Sequence, residues 1–158
     1  MNQDTVPNEH ASVEPDLFPP GSRVCFIFTQ HRGLMEKLVA TFESQGYYTA
    51  TADDPGQGVA KLRLNKYDVA IVQHKSSNAS LLEEIHSWPG TTRRTMNIII
   101  MGDEAPSMHQ SQALILGANF YLNLQDADNL EELIMQCLKG YQLYYHPWHK
   151  VLEEMDDK

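Results

Sequence analysis

Five short β-prone runs, each followed by a stretch with helical spacing, constrain this chain more than any other feature in it. The first, Val24-Cys25-Phe26-Ile27-Phe28, is apolar throughout. A strand with one wet face would alternate, so an unbroken apolar run reads as a strand buried on both sides. Leu34, Leu38, Val39 and Phe42 then fall at helical spacing, and Gly46 closes that helix. Tyr47 to Thr51 forms a second run, rich in Thr and Tyr. Asp54-Pro55 sets a capping carboxylate before a proline at the first helical position, and Val59 and Leu62 give that helix its inner face. Asp68 to Val72 is the third run. Leu81, Leu82 and Ile85 mark a third helix, ended by Pro89-Gly90. Ile98 to Met101 is the fourth run, and Gly102 follows it. Ala113, Leu114 and Leu116 lie on a fourth helix that stops at Gly117. Phe120-Tyr121-Leu122 is the fifth run. Leu130, Leu133, Ile134, Cys137, Leu138 and Tyr141 then recur at the spacing of a strongly amphipathic fifth helix. Strands alternating with helices predict a parallel sheet covered on both faces, a three-layer α/β sandwich. The expected strand order is 2-1-3-4-5, with any ligand site at the carboxyl ends of strands one and three.

The chain divides into three stretches. Residues 1–22 are polar, without periodicity, and carry Pro7, Pro15, Pro19 and Pro20; they read as a flexible leader that holds a few docked residues. Residues 23–142 form the α/β domain. Residues 143–158 extend the last helix with an aromatic and then acidic segment, in which Pro147 is expected to break the preceding helix. The 158 residues suffice for one domain and not for two. A net charge of -9 repels nucleic acid and anionic membrane. No signal peptide and no membrane span is visible, so a cytoplasmic location is expected. Cys25 and Cys137 sit among apolar neighbours and read as small core residues rather than a disulfide.

Three local patterns add a resemblance. Strand one through Gly46-Tyr47 has a characteristic spacing. Tyr67-Asp68-Val69-Ala70-Ile71-Val72 looks like a Pro-Asp-apolar strand that ends in Asp. Leu116-Gly117-Ala118-Asn119-Phe120-Tyr121-Leu122 is close to Ala-Gly-Ala-x-x-Tyr-Leu. Together they resemble the receiver domain of response regulators, over Arg23 to Tyr141. The resemblance implies a flavodoxin-like fold and a place in bacterial two-component signalling or a phosphorelay.

That family's chemistry needs an acidic pair for magnesium after strand one and an Asp nucleophile ending strand three. It also needs a hydroxyl ending strand four and a Lys ending strand five. By spacing these positions fall on Thr29 and Gln30, Gln73, Gly102 and Leu124. All five differ from the family pattern. A glutamine amide cannot form an acyl phosphate, and Thr29 and Gln30 carry no charge to hold magnesium. His74, next to Gln73, reads as a polar strand-end residue rather than a phospho-acceptor. The expectation is therefore a phosphorylation-independent pseudo-receiver, not an enzyme, with no cofactor and no metal.

The aromatic switch position of the family is matched by Tyr121. The face made by helix four, strand five and helix five is the surface that active receivers use for dimers or targets. Here its candidates are Leu114, Tyr121, Tyr141, Tyr144 and Trp148, with Tyr121 expected as a partly buried ring on that face. The implied partner is a protein, either a separate signalling protein or a second copy. The alternative is a small-ligand sensor or enzyme. Its site would be a polar, uncharged pocket near Thr29, Gln30 and Gln73, suited to a nucleotide or a neutral metabolite. His146 and His149 have a spacing that can bind metal on a helix, but no third ligand lies near, and an aromatic cluster accounts better for that segment.

Overall fold

A computed structural model describes residues 14–157, except the side chains of His146, Trp148 and His149. The first thirteen residues of the expected leader lie outside the described ones. The elements run β1 Val24–Phe28, α1 Arg32–Ser44, β2 Tyr48–Thr51, α2 Pro55–Leu64, β3 Val69–Gln73 and α3 Ala79–Ser87. A single turn, α4 Gly90–Arg93, precedes β4 Asn97–Gly102; α5 Gln110–Ile115, β5 Phe120–Asn123 and α6 Leu130–Asp156 complete the chain. The expected fourth and fifth helices are thus α5 and α6. Short 3₁₀ segments, Ser76–Asn78 and Leu124–Asn129, lead into α3 and α6.

The strands form one parallel sheet in the order β2-β1-β3-β4-β5. Alternate residues of each apolar run supply opposite faces. Phe26, Phe28, Ala70, Val72, Ile98, Ile100 and Tyr121 pack beneath α2, α3 and α5, against Leu62, Leu81, Ile85 and Ala113. Cys25, Ile27, Val69, Ile71, Ile99, Met101 and Leu122 pack beneath α1 and α6, against Leu38, Phe42, Ile134 and Cys137. Both cysteines are buried and unpaired, and burial pushes the Cys137 thiol up to about 12.

Local chemistry sets the helix ends. Asp54 Oδ1 accepts from the Gln57 N–H at 2.8 Å, with Pro55 at the first helical position. His31 and His109 cap α1 and α5 through Nδ1, accepting from Leu34 N–H at 3.0 Å and Gln112 N–H at 3.1 Å. Gly46 takes a positive φ of 83° where α1 turns into β2. Asp68, just before β3, accepts from the Val24 N–H at 2.8 Å and ties the starts of β1 and β3 together.

Within the leader, Asp16 accepts from Tyr67 Oη at 2.7 Å and from Lys61 Nζ at 3.3 Å, and Phe18 lies against Tyr48 with ring centroids 5.3 Å apart. One expectation needs correction: α6 is not broken at Pro147 but runs on to Asp156. Proline removes the donor to the Leu143 carbonyl. Leu143 and Pro147 are both exposed, so the carbonyl is freed on an exposed side of the helix rather than inside the core.

Candidate functional site

The parallel sheet delivers the carboxyl ends of β1, β3, β4 and β5 to one edge, and all five predicted positions sit there at strand ends or just after them. Thr29 and Gln30 follow β1, Gln73 ends β3 and Gly102 ends β4. Leu124 opens the 3₁₀ segment after β5.

Their polar atoms are used on one another. Thr29 Oγ1 donates to Gln73 Oε1 at 2.5 Å and accepts from the His31 N–H at 3.1 Å. Gln30 and Asn78 pair amide to amide; Gln30 Nε2 donates to Asn78 Oδ1, and Asn78 Nδ2 returns a bond to Gln30 Oε1 at 3.0 Å. Asn78 Nδ2 also donates to the Gln73 carbonyl at 2.9 Å. Asn78 is fully buried. It was missed in the sequence because a lone Asn in a Ser-Ser-Asn turn looks like any loop residue. Such a set does not fit a magnesium ion. It has no charge, and its oxygens already accept hydrogen bonds within the cluster.

At β4 the arrangement is steric. A Cβ on residue 102 would lie 2.5 Å from the Tyr121 hydroxyl oxygen and 3.3 Å from its Cζ. The Tyr121 ring therefore fills the space that a side chain at position 102 would need. Its hydroxyl accepts from the Glu104 N–H at 3.0 Å, and the side chain is wholly buried. Glu104 in turn lies 3.1 Å from His74 Nδ1, so the His at the end of β3 faces a carboxylate of the β4–α5 loop.

A cavity of about 400 Å³ opens beside this cluster, lined by His31, Gly33, Leu34, Lys37, Gln73, Leu124 and Ala127. The expected uncharged pocket is thereby corrected. Gly33, Leu34 and Lys37 share one side of α1, as residues three and four apart do, and this brings a lysine to the rim.

The candidate face on α5, β5 and α6 is only partly as expected. Leu114 is 81% exposed, and Tyr144 on α6 is 79% exposed; Ile115, not foreseen, is 74% exposed. Tyr121 and Tyr141 are buried, and their rings contribute only to the floor of the groove between α5 and α6. Tyr121 is buried because Gly102 leaves room for it. Tyr141 is held in place by its hydroxyl, which donates to the Arg94 carbonyl at 2.6 Å, and by its ring, which lies tilted against Tyr145 with centroids 4.8 Å apart. The Trp148 side chain lies outside the described ones. Between α5 and α6 runs a groove of about 420 Å³, lined by Ala113, Leu114, Ala118, Phe120, Tyr144 and Tyr145 among others. Among the described residues, no helix is long and apolar enough to cross a membrane.

These features define a doubly wound, flavodoxin-like α/β domain whose strand-end site is neutral and internally paired. Solved structures that match this fold include receiver domains. A CheY-like receiver domain from Methanospirillum hungatei is 20% identical, covers 78% of this chain and 98% of its own, and superposes with a TM-score of 0.58. A response regulator from Thermotoga maritima is 15% identical over 75% of this chain and 98% of its own, TM-score 0.56. An orphan response regulator of H. pylori is 16% identical over 76% and 99%, TM-score 0.56. The chain thus has the fold of a receiver domain. No protein-family model and no curated protein matches it in sequence.

Proposed function

We propose that this chain is a pseudo-receiver: a response-regulator-like module that signals by binding protein and not by accepting a phosphoryl group. The observation that carries the reading is the state of the strand-end site. Thr29, Gln30 and Gln73 stand where the acidic pair and the nucleophile are expected, and they bond to one another and to Asn78. Gly102 leaves no hydroxyl, and Tyr121 occupies the vacant volume. Leu124 supplies no cation. A carboxamide lacks the anionic oxygen that attacks phosphorus.

The face of α5, β5 and α6 supports the binding half of the reading. Leu114 and Tyr144 expose large apolar groups at one groove, with Ile115 exposed next to Leu114 in the chain, and exposed apolar patches of this kind mark interaction sites. The partner is a separate signalling protein or a second copy, in the cytoplasm.

Incubation with acetyl phosphate and magnesium, followed by intact-mass measurement, tests the chemistry. No stable adduct is expected. A phosphoryl group retained on Gln73 or His74 would refute the reading.

A further inference from the structure

We propose that the cavity between the start of α1 and the β5–α6 connection binds a small organic anion: a carboxylate on an apolar body. This site is separate from the face assigned to protein partners, and it stands or falls independently of it.

The lining has two halves. Leu34, Leu124 and Ala127 are apolar; His31, Lys37 and Gln73 are polar. Each polar member has an N–H to give. Lys37 carries a full charge and only donors, and among the described residues no carboxylate is placed to pair with it. His31 Nδ1 is occupied in accepting from the Leu34 N–H, which leaves the ring proton to Nε2. Gln73 Oε1 is occupied in accepting from Thr29, which leaves the amide N–H pair for a ligand.

Among the described residues, no carboxylate lines the cavity. Donors with one full positive charge, and no side-chain acceptor left over, are the complement of an anion. A cation would meet the lysine. A neutral ligand of the same shape would leave the charge of the lysine without an anionic partner in the cavity. The apolar half adds the second requirement, since a bare inorganic anion would leave Leu34, Leu124 and Ala127 in contact with water. The volume, about 400 Å³, falls in the range of roughly 300–1,000 Å³ common for small-molecule sites. The chain as a whole carries a charge of -9, so long-range attraction does not recruit the ligand. Recognition rests on contacts inside the cavity.

Titration of the full chain with hexanoate, followed through backbone amide resonances, tests the site. Hexanamide serves as the neutral match and inorganic phosphate as the bare anion. Hexanoate is expected to shift the amides of Gly33, Gln73, Leu124 and Ala127 saturably, with hexanamide and phosphate each about tenfold weaker or more. Lys37→Gln, an exposed substitution that leaves the core intact, is expected to weaken hexanoate about tenfold. Gln73→Glu, which sets a like charge in the cavity, is expected to abolish binding. Absence of saturable shifts overturns the proposal, as does hexanamide or phosphate binding as tightly as hexanoate, or full binding by Lys37→Gln.

Discussion

At the scale of single residues, the strand-end site depends on two side chains that fill space and satisfy bonds. Gly102→Ser places a Cβ within 2.5 Å of the Tyr121 hydroxyl, closer than atoms approach without displacement. Either the ring leaves its buried position or the sheet edge shifts. Urea unfolding is expected to show a loss of about 1–3 kcal/mol, the usual cost of overpacking, with a change in the near-ultraviolet circular dichroism of tyrosine. Unchanged stability and spectrum would mean that the ring is not confined. Asn78→Ala leaves Gln30 and the Gln73 carbonyl without their partner; a destabilisation of about 1–3 kcal/mol by the same measurement is expected. Cys137 gives a pH dependence. Its folded pKa is raised, so the fold favours the neutral thiol. That contribution is complete below the ordinary value of 9.0 and is lost as pH rises toward about 12. Cys137→Val is therefore expected to flatten the alkaline limb of a stability–pH curve between those values, with little effect near neutrality.

At the scale of elements, most of the architecture was legible because strand and helix carry different periods. Buried runs such as Ile98 to Met101 and the spacing from Leu130 to Tyr141 specify element type without tertiary information. Burial on a face was less legible. Tyr121 and Tyr144 are both tyrosines near the same groove, yet one is buried and one exposed. The difference is set by Gly102 across the β4–β5 pair, a long-range relation that local spacing does not encode. Likewise the five replaced positions were found by counting, whereas Asn78, which bonds two of them, became visible only in three dimensions. Continuation of α6 through Pro147 was misjudged because proline cost is a matter of where the freed carbonyl faces. Pro147→Ala restores the donor to Leu143, and slower hydrogen exchange around residues 143–151 is expected, with helix stability raised by up to about 3 kcal/mol. Exchange unaffected by the substitution would mean that the proline costs this helix nothing.

At the scale of the whole molecule, an acidic α/β domain carries an apolar groove on one side of its sheet edge and a donor-lined cavity at its strand ends. Leu114→Glu and Tyr144→Glu change exposed side chains, so the melting temperature is expected to stay nearly constant. If a second copy is the partner, sedimentation velocity is expected to show the wild-type chain self-associating and both variants monomeric; a dimer that survives both substitutions would place the interface elsewhere. The confinement of Tyr121 has a further consequence for affinity. A receiver that samples a binding-competent state only part of the time has its apparent affinity reduced by the occupancy of that state. Here the ring is already held inward by the geometry at residue 102. On the proposed reading, a surface fixed in one arrangement would incur no such reduction, and no input would be required to lift it. How much complex forms would then be governed by how many copies of the chain and its partner are present, and control would lie in synthesis and degradation rather than in a change of shape.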